Sequence, residues 1–437
     1  MRPKRALIAP LAILAAGTLA AGTLAGCGRG DRLDQLIETP SGVTSYAIDA
    51  NQLYVAGVPA AGVVTAYRLE DGKQSWRVPA IEGSIGLDST PAVLTAYPAR
   101  CADDQDLSFT LLDAEHGTTR WRHEGSLVGI AGTGYLLLVR GTPAGCTGGT
   151  DMHGAPTPAA GDSGTGDSGT GDSGTGGGGT GKAAPDRLVD LDASNGSLKW
   201  TRPLPAGGAL QPVTDNVGAL TDLVTLAGGS LQSVDPVTGA VQSTGKVPER
   251  AQPASAGQTL ILATPAAAGG LQLSGYEPTT LAASWRVQVP LPAGSADFEH
   301  CGDLLCAHGP QSTVAVDPAT GVLRWTLPGL LVRQAGRHTA VATRVPATNS
   351  TMLVDTSTGR VTSTLDQTSV AGTAPGDRLV LRRIDGGSTV FSLLELDTGQ
   401  LREVGRADGR YDSCQASTQR LACQATDSAA LHVWRLG

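Results

Sequence analysis

One short pattern recurs along this chain and restricts its fold more than any other feature: an apolar strand, an acidic residue, a turn ending in Gly, and a second strand. It reads Leu69-Glu-Asp-Gly72 with Trp76, Leu112-Asp113 with Gly117 and Trp121, Leu191-Asp192 with Gly196 and Trp200, and Val234-Asp235 with Gly239. It continues as Tyr276-Glu277 with Trp285, Val316-Asp317 with Gly321 and Trp325, Val354-Asp355 with Gly359, and Leu396-Asp397 with Gly399. In four copies Trp lies four positions after the Gly, and Trp285 holds the matching place in a fifth. The residue types fit the turn. An Asp side chain accepts backbone N–H groups at the start of a turn. Gly supplies the left-handed conformation that precedes the returning strand. A Trp on that strand buries a large ring between neighbouring sheets. A single D-x-x-x-G match carries almost no information; eight in register do.

Spacing extends the argument. The turn glycines, or their equivalents, are 45, 79, 43, 42, 40, 38 and 40 residues apart. A further strand-like run precedes several turns, as in Leu53-Tyr-Val55, Tyr135-Leu-Leu-Leu-Val139, Leu260-Ile-Leu262 and Arg378-Leu-Val-Leu-Arg382. A period near 40 with about four short strands per repeat predicts an all-β fold, a β-propeller of four-stranded blades. Eight blades are expected, with seven and nine left open. The segment from Tyr411 to Leu436 adds three strand-like runs and is expected to close the ring with an N-terminal strand, which removes an exposed sheet edge. The one long gap has a compositional cause. Residues 143–184 are rich in Gly, Pro and Thr and hold Gly-Asp-Ser-Gly-Thr three times in tandem, a disordered insert that cannot bury a core. The GDSG letters there lack the His and Asp context of a serine nucleophile, and a floppy loop orders poorly around a cation.

The D-x-x-T-G-x-x-x-W motif on a 40-residue blade resembles the PQQ-like propeller repeat, and the resemblance covers essentially residues 40–437. That family includes quinoprotein dehydrogenases, which typically hold their quinone with an adjacent-cysteine disulfide and a calcium ion. This chain has no Cys-Cys pair. The resemblance therefore carries no expected cofactor, pyrroloquinoline quinone included, and no catalytic residue. The Trp residues (76, 121, 200, 285, 325) and turn glycines (117, 196, 239, 321, 359) are read as blade packing.

The N-terminus sets the compartment. Arg2, Lys4 and Arg5 precede the apolar run Ala6 to Ala25, the layout of a secretory signal. Leu24-Ala25-Gly26-Cys27 resembles the lipobox of bacterial lipoproteins. By that resemblance, 1–26 is a signal peptide, Cys27 is lipidated, 27–40 is a tether, and 41–437 is a single propeller domain on the extracytoplasmic face of the cell membrane. The chain carries a formal charge of −8, and without the signal about −11. No dense Lys/Arg run appears, which argues against nucleic acid as a partner. Six further cysteines (Cys101, Cys146, Cys301, Cys306, Cys414, Cys423) are candidates for three disulfides in an exported chain. Cys301 with Cys306 and Cys414 with Cys423 each frame a hairpin, which leaves Cys101 and Cys146 in loops of neighbouring repeats.

Little else points to chemistry. His300 and His308 flank the Cys301–Cys306 hairpin near Glu299 and Asp303, a conceivable metal site that reads better as a surface hairpin of ordinary polar residues. Arg29-Gly30-Asp31 in the tether is read as chance. Aromatic residues make up 4% of the chain, too few for the stacking clusters of a lectin. In general form, lipobox plus eight-blade repeat, the chain is similar to outer-membrane assembly lipoproteins of the BamB type. The expected function is a non-catalytic, membrane-anchored platform for an envelope protein partner, of unassigned oligomeric state. The alternative is a small-ligand sensor or a PQQ-dependent quinoprotein dehydrogenase.

Overall fold

Short runs of aliphatic and β-branched residues, broken by Gly, Asp and Pro, fold into 36 strands among the described residues. A computed structural model describes residues 32–58, 60, 62–79, 85–89, 93–98, 108–139, 185–205, 208–215, 219–267, 269–292, 296–346 and 350–436. Seven sheets have four strands in consecutive order, covering residues 45–79, 85–124, 126–203, 209–246, 252–289, 297–328 and 330–366. An eighth sheet has eight strands and consists of two such sets. Residues 368–408 form one; 411–435 with Asp34–Glu38 form the other. Their first strands touch in parallel at Gly372–Cys414 and Thr373–Gln415.

Each set is a propeller blade, all antiparallel within itself. Among the described residues the blades number nine, one of the two counts left open beside the expected eight. The C-terminal segment does close the ring with an N-terminal strand: Asp34 pairs with Arg435 and Glu38 with His432. The count differs because each of the eight turn-bearing segments already supplies four strands. The C-terminal three and the N-terminal one therefore complete a ninth blade of their own. The ring shuts where the ninth blade meets the first. There the Tyr46 hydroxyl donates to the Ala422 carbonyl at 3.1 Å, and Gln415 and Gln424 donate to the carbonyls of Tyr46 and Val43 at 3.2 and 2.8 Å.

Position within a blade governs burial. The second and third strands are covered on both faces by neighbouring blades, so they read as continuous apolar runs such as Leu53 to Ala56, every residue fully buried. The outermost strands show alternating exposure, as in Leu198–Pro203 and Val361–Asp366. The 79-residue spacing is also explained. Gly134–Val139 and Arg187–Asp192 pair in register from Gly134↔Asp192 to Val139↔Arg187, so the long segment leaves and re-enters at one hairpin of the third blade. The insert 143–184 itself lies outside the described residues.

The repeated turn has one geometry. In five copies the Gly N–H donates to the carbonyl of the Asp four residues earlier at 2.8 Å, with φ between 69° and 72°. The Asp carboxylate meanwhile accepts N–H groups two and three residues ahead, as Asp317 does from Ala319 and Thr320 at 3.1 Å. Two copies depart from the sequence reading. In the eighth turn Gly399 closes on Glu395 rather than Asp397, and in the first Gly72 closes on Arg68, with Asp71 bound to Arg68 at 2.8 Å.

Candidate functional site

The Trp rings lie across blade junctions, each on the turn of the next blade. Trp76 Nε1 donates to Ala114 O at 3.1 Å, Trp121 to Ala193 O at 3.2 Å, and Trp200 to Val237 O at 3.0 Å. Trp285 donates to Pro318 O and Trp325 to Thr356 O, both at 2.7 Å. The ring faces pack on Gly117, Gly196, Gly239, Gly321 and Gly359 so closely that a Cβ at Gly321 would sit 2.5 Å from Trp285. These glycines therefore serve two needs, a positive φ and a flat surface for the ring. Trp434 is different. It is buried in the ninth blade, edge-on to Tyr411 at 4.9 Å and beside Phe391 at 5.7 Å.

Cys301–Cys306 and Cys414–Cys423 are disulfides that join the first and second strands of the sixth and ninth blades, with Cα separations of 5.6 and 4.1 Å. All four cysteines are buried, so the Cys301–Cys306 hairpin is part of the core and not the surface hairpin expected from sequence. Its neighbours do not converge on one point. Asp303 turns to Arg337 at 3.8 Å, while His300 and His308 pair with Leu305 and Asp297, several residues apart along the hairpin. Among the described residues no three of His, Cys, Asp and Glu gather in a manner that could hold a metal ion. Cys27, Cys101 and Cys146 lie outside the described residues.

Concave surface with charge occurs where the innermost strands of the sixth, seventh and eighth blades come together. A cleft of about 440 Å³ opens there, lined by Glu299, His300, Arg333, Gln334, Asp377 and Arg378 among others. Two strands, Asp297–Cys301 and Leu330–Ala335, bring the first four; Asp377 comes from the turn at 375–377 and Arg378 from the start of the strand Arg378–Asp385. Among the described residues no ion pair forms between Glu299, Arg333, Asp377 and Arg378. The Arg378 Nε instead donates to Pro375 O at 2.7 Å. Burial by the surrounding blades lowers the His300 imidazole below the ordinary histidine range. His308 lies beneath this wall, 8% exposed, with Nε2 3.6 Å from the Glu299 carboxylate. Sequence spacing marked Glu299, His300 and His308 but not Arg333, Gln334, Asp377 or Arg378. Those belong to three separate repeats, and no periodic signal links them.

Two other carboxyls are buried away from this cleft. Asp190, in the third strand of the third blade, is fully buried, and burial raises it to about 6 against a weaker pull from Lys199, whose Nζ is 3.9 Å away. Asp222 is raised for the same reason, although Thr279 donates to it at 3.0 Å. Asp190 lies within the third blade, against Gly134 of the adjacent strand, and Asp222 lies where the fourth blade meets the fifth.

The family model described as outer membrane protein assembly factor BamB matches residues 169–388, just over half of the chain. Among solved structures, BamB from Moraxella catarrhalis is 16% identical, covering 93% of this chain and 98% of its own, with a TM-score of 0.40. A eukaryotic initiation factor is 10% identical over 88% of this chain and 93% of its own, with a TM-score of 0.54. The dihydro-heme d1 dehydrogenase NirN in complex with DHE is 13% identical over 87% and 74%, with a TM-score of 0.43. No curated protein sequence matches the chain. At such identities the likeness of structures bears on fold alone, and of these three the initiation factor supports the propeller. The family assignment rests instead on the match to 169–388, which takes in five consecutive blade turns from Asp192 to Gly359 with Trp200, Trp285 and Trp325. The chain belongs to the PQQ-like repeat family described as outer membrane protein assembly factor BamB.

Proposed function

We propose that this chain is a lipoprotein, anchored through Cys27 at the extracytoplasmic face of a membrane, and that its propeller is a non-catalytic platform for an envelope protein. The observation that carries this reading is family membership across 169–388. A family named for outer-membrane assembly is one of protein interaction in the envelope. The sequence Leu24-Ala25-Gly26-Cys27, six residues before the first described strand region, supplies the anchor.

The physical organisation supports a scaffold. Nearly all large apolar side chains are consumed by blade-to-blade packing, and the Trp–Gly junctions lock successive blades. Such a ring changes little on binding and offers loops and edge strands held in fixed relation.

The test is cross-linking in intact cells, followed by purification through a C-terminal tag and mass spectrometry, on the native chain and on Cys27→Ala. The expected result is one dominant envelope protein cross-linked to loops of a single face. Acylated Cys27 should be recovered from the native chain, and Cys27→Ala should leave the membrane fraction. Recovery of the propeller alone, at native abundance and with efficient self-cross-links, would overturn the platform. An unmodified Cys27 in the mature protein would overturn the anchor.

A further inference from the structure

A blade of four antiparallel strands has two ends, and the turns from first to second strand and from third to fourth share one of them. Nine large apolar side chains are exposed among the described residues, and all except Ile384 lie at that end. Five of them occupy one place in the repeat, two residues after the turn glycine: Leu198, Val241, Leu323, Val361 and Leu401. The turn does not require an apolar residue there, because Gln74 and Thr119 fill that place in the first two blades. Blade packing does not require it either, since each of the five is at least 40% exposed. Ile130 and Val237 join them where the third blade meets the fourth. Val237 Cγ2 is 3.9 Å from the Cβ position of Gly132, and Trp200 Nε1 donates to Val237 O at 3.0 Å, which gathers Ile130, Leu198 and Val237 round one junction. Single exposed aliphatic residues are ordinary; their repetition along one end and near-absence from the other marks a surface that something covers.

The chain enters the ring at the same end. The N-terminal strand takes the fourth place in the ninth blade, and its first residue, Asp34, lies opposite Arg435, where the third strand finishes. Arg32, just before it, pairs with Asp408 at 2.9 Å. Five residues separate Arg32 from Cys27, a reach of at most about 18 Å. Acyl chains on Cys27 therefore keep this end of the eighth and ninth blades close to lipid. Turn carboxylates at this end are engaged within the protein, Asp113 by Arg120 at 2.9 Å and Asp317 by Arg324 at 2.6 Å. We propose that this end of the propeller rests on the phospholipid surface of the membrane, with its exposed aliphatic side chains seated among the headgroups. The proposal rests on the anchoring reading and adds an orientation to it. Each contact is small and acts because the tether keeps lipid within reach, so the chain still leaves the membrane when Cys27 is replaced.

The experiment reconstitutes the acylated chain in vesicles of dioleoylphosphatidylcholine, with and without a phosphatidylcholine brominated on its upper acyl carbons, which quenches nearby indoles. Three variants each add one Trp at an exposed position: Leu198→Trp and Leu401→Trp at the proposed face, and Ile384→Trp at the opposite end. All three should keep the melting temperature of the native chain. The emission added at 198 and at 401 should fall about twofold or more in brominated vesicles, as for side chains held at the headgroup boundary, while that added at 384 should not change. Unquenched emission at 198 and 401, or quenching at 384 equal to theirs, would overturn the orientation. Flotation of the native chain with the vesicles separates the two readings. A chain that floats but shows no quenching at 198 and 401 loses only this face, whereas a chain that does not float overturns the anchor and this proposal with it.

Discussion

If the blades are held by Trp rings lying on glycines, a single methyl group at Gly321 should damage the junction in a way that depends on Trp285. The Cβ of Gly321→Ala would lie 2.5 Å from Trp285 Cε3 and 2.6 Å from Cδ2, about 1 Å inside ordinary carbon contact. The residue also holds φ near 72°, where an Ala costs about 1 kcal/mol. Forcing the ring back adds about 1–3 kcal/mol of overpacking, and stretching the 2.7 Å bond from Trp285 to Pro318 O adds about 1 kcal/mol. The total is about 4 kcal/mol. Gly386→Ala is the control, because its φ is 58° and nothing lies within 4 Å of the Cβ, which leaves about 1 kcal/mol of conformational cost alone. The assay is urea unfolding of both variants, and of Gly321→Ala in a Trp285→Ala background. With the ring gone the Gly321→Ala cost should fall to that of Gly386→Ala, a coupling of about 2–3 kcal/mol. Gly321→Ala no worse than Gly386→Ala, or costs that simply add in the double variant, would refute the reasoning.

Two further predictions concern the blade interior and the ring closure. Asp190 binds its proton more tightly in the folded chain, at about 6 against 3.8, so the native state holds more protons and stability falls as pH rises from about 4 through 6. The full effect above that range is about 3 kcal/mol, and Asp190→Asn should be more stable than the native chain at pH 8 by up to that amount but by much less at pH 4.5. A gain of equal size at both pH values, by urea unfolding, would show that the carboxyl's charge is not the cause. Ile37 is buried among Leu53, Val55, Leu69 and Val433, where the N-terminal strand meets the first and ninth blades. Ile37→Ala should cost about 2–4 kcal/mol and should raise hydrogen exchange first in 34–38 and 431–435. Exchange that begins in a distant blade instead would mean that the strand does not close the ring.

The fold was legible because its unit is local. Asp317 and Gly321 are four residues apart, and their turn depends only on carboxylate length and a tolerated φ, so the same letters mark it five times. The ninth blade was harder to see for a chemical reason. Its hairpin closes on Ala429, whose N–H donates to Ala425 O at 3.0 Å with φ at 52°, and neither residue is Asp or Gly. Its outermost strand also comes from the opposite end of the chain. The cleft was only partly legible, since Glu299, Gln334 and Arg378 are brought together by the ring and have no common spacing.

The fifth turn shows what the repeat conserves physically. Leu281 occupies the glycine position with φ at 56° and still donates to Glu277 O at 2.8 Å. The preceding blade has Ser243 where five others place Trp, and its hydroxyl donates to Thr279 O at 2.6 Å, taking over the bond that a Trp Nε1 makes elsewhere. With no ring on the turn, nothing excludes a side chain there, and Leu281 packs beside Gly245 on the outer strand of that blade. Backbone strain of about 1 kcal/mol is offset by apolar burial of similar size. At the five Trp junctions glycine is therefore required by the neighbour's ring as well as by its own turn. The Trp of one blade and the Gly of the next form one structural element divided between two repeats. Gly72 obeys the same rule at the ring closure, where Leu36 O and Ile37 Cγ1 lie 3.1 and 3.3 Å from its Cβ position. The N-terminal strand thus fills, against the first blade, the place that a Trp-bearing strand fills at five other junctions. That substitution is why a chain with eight turn motifs closes as nine blades.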